Sequence, residues 1–247
     1  MTATFSRHLM ALAQIADLTL VEPWTWVENE GRDLQVRNRL YQCLERELAA
    51  ACAVPAEMTL AARSICQTQR AWGDLRGLVA GLGDDDLDRS AEPGEWNLRQ
   101  VLGHILLTDR RYRGHMQYAL ARAEADPMRF EQPEVLEEGE SEGGVLDWID
   151  RIDSERQLVW ALRTIAGPDL DRPTVWSGHN VDLRFRLHRF GGHVSEHTIQ
   201  AEKVLAALGH QPSEVQRIVR RISAARAEHE LITPNRTLEE LDSKLPA

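Results

Sequence analysis

The chain has 247 residues, of which 43% are hydrophobic and 28% charged, a mixture that is typical of globular proteins and excludes disorder and low complexity. Its net charge of −10 repels a phosphate polymer, so we expect no nucleic-acid partner. No apolar run approaches the roughly 20 residues that span a bilayer, and the first twenty residues lack the features of a signal peptide. We therefore expect a cytoplasmic protein without a membrane partner.

The first 55 residues predict an N-terminal extension of two helices, over residues 5–20 and 33–53, separated by a corner at Pro23–Trp26. The chain has three cysteines, all in its first third, and none forms a C-x-x-C pair: they are Cys43, Cys52 and Cys66. An odd number without paired spacing indicates reduced thiols rather than a disulfide framework.

Residues 56–210 predict a four-helix bundle, and the fold class is therefore all-α. Apolar residues alternate at spacings of four and three from Ala61 to Leu82, which predicts the first helix. Asn97 and Gln100 have the spacing of a capping box and open the second helix. The third helix is expected over residues 144–166 and the fourth over residues 183–208, where Gly209 ends it.

Residues 211–247 predict one further amphipathic helix, over 212–231, and a polar tail. Four arginines of this helix are spaced like its solvated side: Arg217, Arg220, Arg221 and Arg226. Earlier in the chain, residues 130–144 carry six glutamates among Pro and Gly. We expect a solvated loop there, which would discourage strongly anionic substrates if it lay at the mouth of a site.

Two histidines lie within the apolar stripe of the fourth helix. His193 and His197 are four residues apart, so they share one helix face and can present two imidazole nitrogens to one ion. A third ligand must come from another helix, and His104 is the candidate because it lies beside the apolar seam of the second helix. Any one of these alone could be an ordinary core or surface histidine. His179 and His188 are expected to be loop or rim residues.

The order and separation of several short segments resemble the DinB-like superfamily over residues 59–209. The segments are Leu87-Asp88, the run Gly94-Glu95-Trp96-Asn97-Leu98-Arg99-Gln100-Val101-Leu102-Gly103-His104-Ile105, and His193-x-x-x-His197-x-x-Gln200 continuing to Leu208-Gly209. The resemblance implies a four-helix bundle in which His104, His193 and His197 form a three-histidine metal site. By analogy, Trp96 packs at the entry of the second helix rather than touching substrate.

The resemblance also implies metal-dependent chemistry with a low-molecular-weight thiol, as in the bacillithiol S-transferases and the mycothiol-dependent maleylpyruvate isomerases. Imidazole ligands suit zinc, nickel or iron. A divalent ion with an open position can bind a thiolate or lower the pKa of a water molecule. Glu196, one turn from His193, is a candidate base or a candidate partner of a ligand. The expected reaction partner is a small-molecule substrate, and a homodimer stays open.

Three other interpretations remain. The chain could be a non-catalytic helical module that binds metal or another protein. The run from His193 to His197 also has the form H-x-x-E-H of an inverted zinc-protease signature, although only 50 residues follow it. Finally, DinB-like domains supply iron ligands in some sulfoxide synthases, but these normally accompany a separate catalytic domain.

Overall fold

Seven α-helices and two short β-hairpins make up the part of the chain that the computed structural model describes, which is residues 2–26, 31–54, 57–129 and 139–232. The helices are α1 (Thr2–Ala13), α2 (Val36–Cys52), α3 (Leu60–Val79), α4 (Leu98–Ala121), α5 (Val145–Trp160), α6 (Leu183–Ala207) and α7 (Glu214–Ala227). Strands β1 (Pro23–Trp26) and β2 (Arg32–Gln35) form one antiparallel hairpin, and β3 (Pro173–Trp176) and β4 (His179–Asp182) form the other.

Side-chain caps fix where the bundle helices begin. The Thr59 hydroxyl accepts a hydrogen bond from the Ala62 N–H at the start of α3. Asn97 and Gln100 make the reciprocal capping box that their spacing predicts at the start of α4. The Asp182 carboxylate accepts from the Phe185 N–H and opens α6. These bonds satisfy N–H groups that the first turn of a helix leaves without a partner.

The bundle consists of α3, α4, α5 and α6, and α7 lies against α3. Two glycines of α3 permit that close approach. A Cβ on Gly73 would come within 2.6 Å of the Ser223 carbonyl oxygen, and one on Gly77 within 2.6 Å of the Arg220 Cα. Any larger residue would therefore force the two helices apart.

Two groups of buried apolar side chains form the core. The larger one joins residues from all seven helices, from Leu9 in α1 to Ile222 in α7. The smaller one lies around Tyr112, Met116 and Phe190, where α4 and α6 meet the chain segment before β3. The terminal helices are therefore packed into the same core as the bundle.

A network of buried ion pairs connects α2, α3, α5, α7 and the residues that follow α7, and we call it the paired network. Its members are Glu47, Arg76, Asp153, Arg156, Arg226, His229 and Glu230. Arg76 Nη1 donates to Asp153 Oδ1 at 2.8 Å and to Glu230 Oε1 at 3.1 Å. The guanidinium groups of Arg76 and Arg226 also lie over the Phe5 ring of α1. Each buried charge thus has an opposite charge beside it.

The predicted all-α fold class is confirmed, with four bundle helices, two helices before them and one after. The third bundle helix is shorter than predicted, because the chain continues from Trp160 as a 3₁₀ turn over Ala161–Thr164. The expected corner at Pro23–Trp26 is a strand instead. No strand was expected at residues 173–182, because each strand has only four residues and too few alternations to show a period of two.

The expectation that the four arginines of α7 share a solvated face is wrong for two of them. Arg226 is buried in the paired network, and Arg220 is bound by Asp74 and Glu202. A helix that packs on α3 along one side and faces α2 on another has too little free surface for all four. Of the helices described, none has the length and apolar character needed to cross a membrane. The division at residues 55 and 210 stays a prediction.

Candidate metal centre

The three predicted histidines converge between α4 and α6. His104 Nε2 and His193 Nε2 are 3.3 Å apart, and one ring nitrogen from each of His104, His193 and His197 lies within 4.8 Å of the others. The ring centroids of His193 and His197 are 4.4 Å apart, as expected for residues one helical turn apart. Two helices therefore bring three imidazole nitrogens to one point.

Polar side chains lie on the far side of two of the histidine rings. Gln200 Oε1 lies 2.6 Å from His197 Nδ1, an arrangement in which Nδ1 carries the proton and Nε2 keeps its lone pair. Behind His193, the Asp109 Oδ1 atom lies 3.8 Å from Nδ1, and both atoms are buried without a hydrogen-bond partner. The other carboxylate oxygen of Asp109 accepts from the Trp72 indole N–H at 3.2 Å. Asp109 is thus held in place to act on His193.

Burial keeps His104 and His193 neutral. It lowers the pKa of His193 to about 3, with contributions from the neighbouring His197 and His104, and lowers the pKa of His104 in the same way. A neutral imidazole has the free lone pair that a metal ligand needs. Burial, together with the charge of Glu155, raises the pKa of Asp109 well above its usual value.

A cleft of about 670 Å³ opens beside the histidines. One wall is the face of α4, another is the face of α6, and the β3–β4 turn closes one end. The turn is tight because Ser177 and Gly178 both have positive φ, at 47° and 82°, as a two-residue hairpin loop requires. The lining residues are His104, Thr108, Arg111, Tyr112, His115, Arg129, Val175, Trp176, Ser177, Gly178, Arg186, Arg189, His193 and His197.

Glu196 does not line this cleft in the part of the chain that is described. Its carboxylate is exposed and accepts a hydrogen bond from Arg189 Nη2 at 2.7 Å, and this bond lowers the Glu196 pKa. Asp109 lies behind a histidine ligand, the position that was predicted for Glu196. The role of Glu196 as a base stays a prediction.

Three other expectations concern residues around the site. Trp96 lies at the start of α4 as expected, but it is 41% exposed and its ring centroid is 5.2 Å from that of His104. His179 and His188 were both expected in a loop or at the rim. His179 is an exposed residue of β4, and His188 is an exposed residue within α6. Most of the glutamate-rich segment, residues 130–138, lies outside the described residues.

Sequence reasoning missed Asp109 and the arginines of the cleft. The signal for Asp109 was a charged residue on the apolar side of α4, next to no other polar residue of that face. The signal for the hairpin was the Ser177-Gly178 pair between Trp176 and His179, a known turn dipeptide. The arginines gave no signal, because a charge on a helix is ordinarily solvated.

Two helices of the bundle direct three histidines into one end of a cleft. The fold and the site therefore place the chain among helical-bundle proteins with a candidate metal site. The chain belongs to the DinB superfamily: the sequence model of that family matches residues 67–242. The match begins within α3 and extends beyond α7, so it includes the helix that follows Gly209.

Among solved structures, the chain is similar to YfiT from Bacillus subtilis, described as "a probable metal-dependent hydrolase with an unusual four-helix bundle topology". The two chains are 16% identical with a TM-score of 0.51, and the alignment covers 60% of this chain and 87% of YfiT. A likeness at this level of identity shows a shared fold. No curated protein sequence matches the chain.

Proposed function

We propose that this protein is a metal-dependent enzyme in which His104, His193 and His197 bind one divalent ion, zinc, nickel or iron. Its expected reaction is the transfer of a low-molecular-weight thiol to an electrophilic small molecule, or a thiol-dependent isomerisation. The observation that carries the proposal is the convergence of three imidazole nitrogens, from two helices, within 4.8 Å of one another at one end of a cleft.

The donor set fits such an ion. Bonds of ~2.0–2.1 Å in a tetrahedral arrangement place two ligand nitrogens about 3.3 Å apart, and His104 Nε2 and His193 Nε2 have that separation. Gln200 orients His197, and the orphaned Asp109 Oδ1 lies behind His193. Carboxylates and amides in these positions fix ring orientation and increase ligand basicity.

When bound by three neutral ligands, a dication keeps its full charge and favours the thiolate or hydroxide form of a fourth ligand. The chain's own residues do the rest of the work. His104 and His193 stay unprotonated because burial lowers the pKa of each. Tyr112 and Trp176 form an aromatic wall beside His193, since the Tyr112 ring centroid lies 5.6 Å from that of His193 and the Tyr112 hydroxyl accepts from the Trp176 N–H. This wall limits the access of bulk water to the nucleophile.

Hydrolysis is a second candidate function, supported by the description of YfiT as a probable metal-dependent hydrolase. It requires the same three ligands, with water in place of the thiol. A non-catalytic metal-binding module is the third candidate. All three candidates use the same three metal ligands. They differ in the reaction that follows, which is thiol transfer or isomerisation, hydrolysis, or none.

The decisive experiment measures metal content and turnover on the same samples. Protein purified without a histidine tag is analysed for bound metals, then incubated with a generic electrophile and glutathione, bacillithiol, mycothiol or cysteine, and separately with activated esters. We expect near-stoichiometric metal and turnover with one of the thiols. His104→Ala and His197→Ala should lose both, while the helical signal persists.

The matched control is His188→Ala, which removes an exposed histidine from the same helix and should change neither quantity. Turnover of esters without thiol would favour hydrolysis. Bound metal with no turnover of any substrate would favour the non-catalytic module, and absence of metal after loading would overturn the proposal.

A further inference from the structure

Arg186 is a buried arginine without a carboxylate beside it among the described residues. It is 3% exposed and lines the cleft. One Nη donates to the Val175 backbone carbonyl, and the guanidinium lies 4.9 Å from the centroid of the Tyr112 ring. Its Nε is buried and has no hydrogen-bond partner. A buried cation of this kind is costly unless an anion completes its surroundings.

The rest of the cleft has the same sign of charge. Arg111, Arg129 and Arg189 line it with Arg186, and no Asp or Glu among the described residues does so. Arg189 is paired with Glu196, which lies outside the lining. The positive potential is visible in its effect on neighbours. Burial, together with the charges of Arg186, Arg111 and Arg129, lowers the pKa of His115 to about 4. In the same way, burial and Arg111 lower the pKa of Arg186 to about 10. The chain as a whole has a net charge of −10, so the positive charge of the cleft is a local feature. It indicates that the cleft binds an anion.

The arginines and the histidines follow one another along a single helix face. Arg186, Arg189, His193 and His197 are spaced three, four and four residues apart on α6. At about 1.5 Å of rise per residue, Arg189 is roughly 6 Å and Arg186 roughly 10 Å along the axis from His193. A small molecule with one end at the histidines therefore reaches the arginines with its other end.

We propose that this part of the cleft is an anion subsite, in which Arg186, assisted by Arg189 and Arg129, binds a carboxylate or phosphate group of the substrate. This deepens the proposed function, because it assigns the substrate to the small organic anions and places the reacting atoms one to two helical turns from the charged group. The Arg186 Nε supplies a directed hydrogen bond, and Arg189 and Arg129 supply charge. The expectation that the glutamate-rich loop discourages strongly anionic substrates falls mostly on residues 130–138, outside the described residues, and stays a prediction.

The test measures binding rather than turnover, so that it does not depend on the metal. Succinate, inorganic phosphate and the neutral analogue succinamide are titrated calorimetrically into the full-length protein, metal-loaded and after chelation. We expect succinate or phosphate to bind in both states and succinamide in neither. Succinate and phosphate together distinguish a carboxylate from a phosphate as the preferred group.

Arg186→Met should weaken anion binding about ten- to a hundred-fold, the scale for a lost hydrogen bond to a charged group. Its melting temperature without anion should equal or exceed that of the wild type, because methionine fills similar volume without a buried charge. Arg129→Met, at an exposed position, offers a second variant that does not perturb the core and should weaken binding several-fold. The control is Arg184→Met, an exposed arginine of α6 paired with Asp171.

His197→Ala separates this inference from the proposed function. If it loses metal and still binds succinate or phosphate in an Arg186-dependent way, the subsite stands whatever the reaction proves to be. Equal binding by Arg186→Met and wild type, or binding only to the metal-loaded form, would overturn the inference. So would equal binding of succinamide.

Discussion

Arg76 and Arg186 are both buried arginines on bundle helices, but within the described part of the chain only Arg76 has carboxylates beside it. Arg76 is 1% exposed and contacts Asp153 and Glu230 within the paired network. Burial opposes its charge, yet the two carboxylates outweigh burial and raise the Arg76 pKa. For Arg186, burial wins and the pKa falls. Two buried arginine side chains thus have different electrostatic surroundings.

The difference indicates which region is built for stability and which for binding. In the paired network, removing any member leaves its partners as uncompensated buried charges, so the fold depends on each. In the cleft, the buried charge of Arg186 has no carboxylate beside it among the described residues, a cost that a bound anion would remove. Substitutions should therefore affect stability in the first region and binding in the second.

Loss of Arg76 should have the largest effect on stability. Arg76→Met removes the charge that faces Asp153 and Glu230, together with the guanidinium that lies over Phe5, so we expect the free energy of unfolding to fall by about 3 kcal/mol or more. Chemical denaturation at neutral pH measures it. Arg70→Met is the control on the same helix, because that arginine forms an exposed pair with Glu228 and should cost less than about 1 kcal/mol. Equal losses would show that the network does not stabilise the fold.

Glu230 should make the free energy of unfolding depend on pH in the acidic range. Burial opposes its ionisation, but Arg156, Arg76 and Arg226 outweigh burial and hold the Glu230 pKa far below its usual value. Below pH of about 4.5 the unfolded chain binds a proton at this position before the folded chain does, so the free energy of unfolding falls as the pH falls.

Glu230→Gln should lose about 2 kcal/mol at neutral pH, the scale for hydrogen bonds to charged groups, and its stability should fall less steeply in acid. Denaturation curves between pH 3 and 7, in steps fine enough to give a slope, measure both quantities. Glu228→Gln is the neighbouring control and should keep the wild-type slope. A wild-type slope in Glu230→Gln would contradict this interpretation.

Asp109 should affect metal affinity more than stability. Asp109→Asn keeps an acceptor for the Trp72 N–H but removes the carboxylate behind His193, so we expect divalent-metal affinity to fall about 10–100-fold. Competition with a chromogenic chelator measures the change. Glu196→Gln tests the earlier candidate and should leave metal affinity unchanged, because that carboxylate pairs with Arg189. If Glu196→Gln lost more metal affinity than Asp109→Asn, Glu196 rather than Asp109 would be the residue that supports a metal ligand.

The smallest effect is expected in the hairpin that closes the cleft. Gly178 has a φ of 82°, so Gly178→Ala should cost about 1–2 kcal/mol through backbone strain. Gly167→Ala is a control at a glycine with open space around its Cβ position and no positive φ. Thermal denaturation compares the two variants. If they were equally stable, the turn would not require glycine.

Local rules predicted much of the helical frame and part of the site. Asn97 and Gln100 place the start of α4 because a capping box needs only four consecutive residues. His193 and His197 share a face because a helix repeats every 3.6 residues. His104 was placed with them by its position beside an apolar seam and by the family resemblance. The first two predictions depend on neighbours in the sequence, and the placement of His104 depends on the resemblance as well.

The charge of each region was decided by tertiary structure alone. Arg76 meets Asp153 and Glu230 across 77 and 154 residues of chain, and Arg186 meets no carboxylate among the described residues. In the sequence, all arginines carry the same charge and the same expectation of solvent. The folded chain determines which of them become buried and which acquire a partner, because the energy of a buried charge depends on what lies within a few ångströms of it in space.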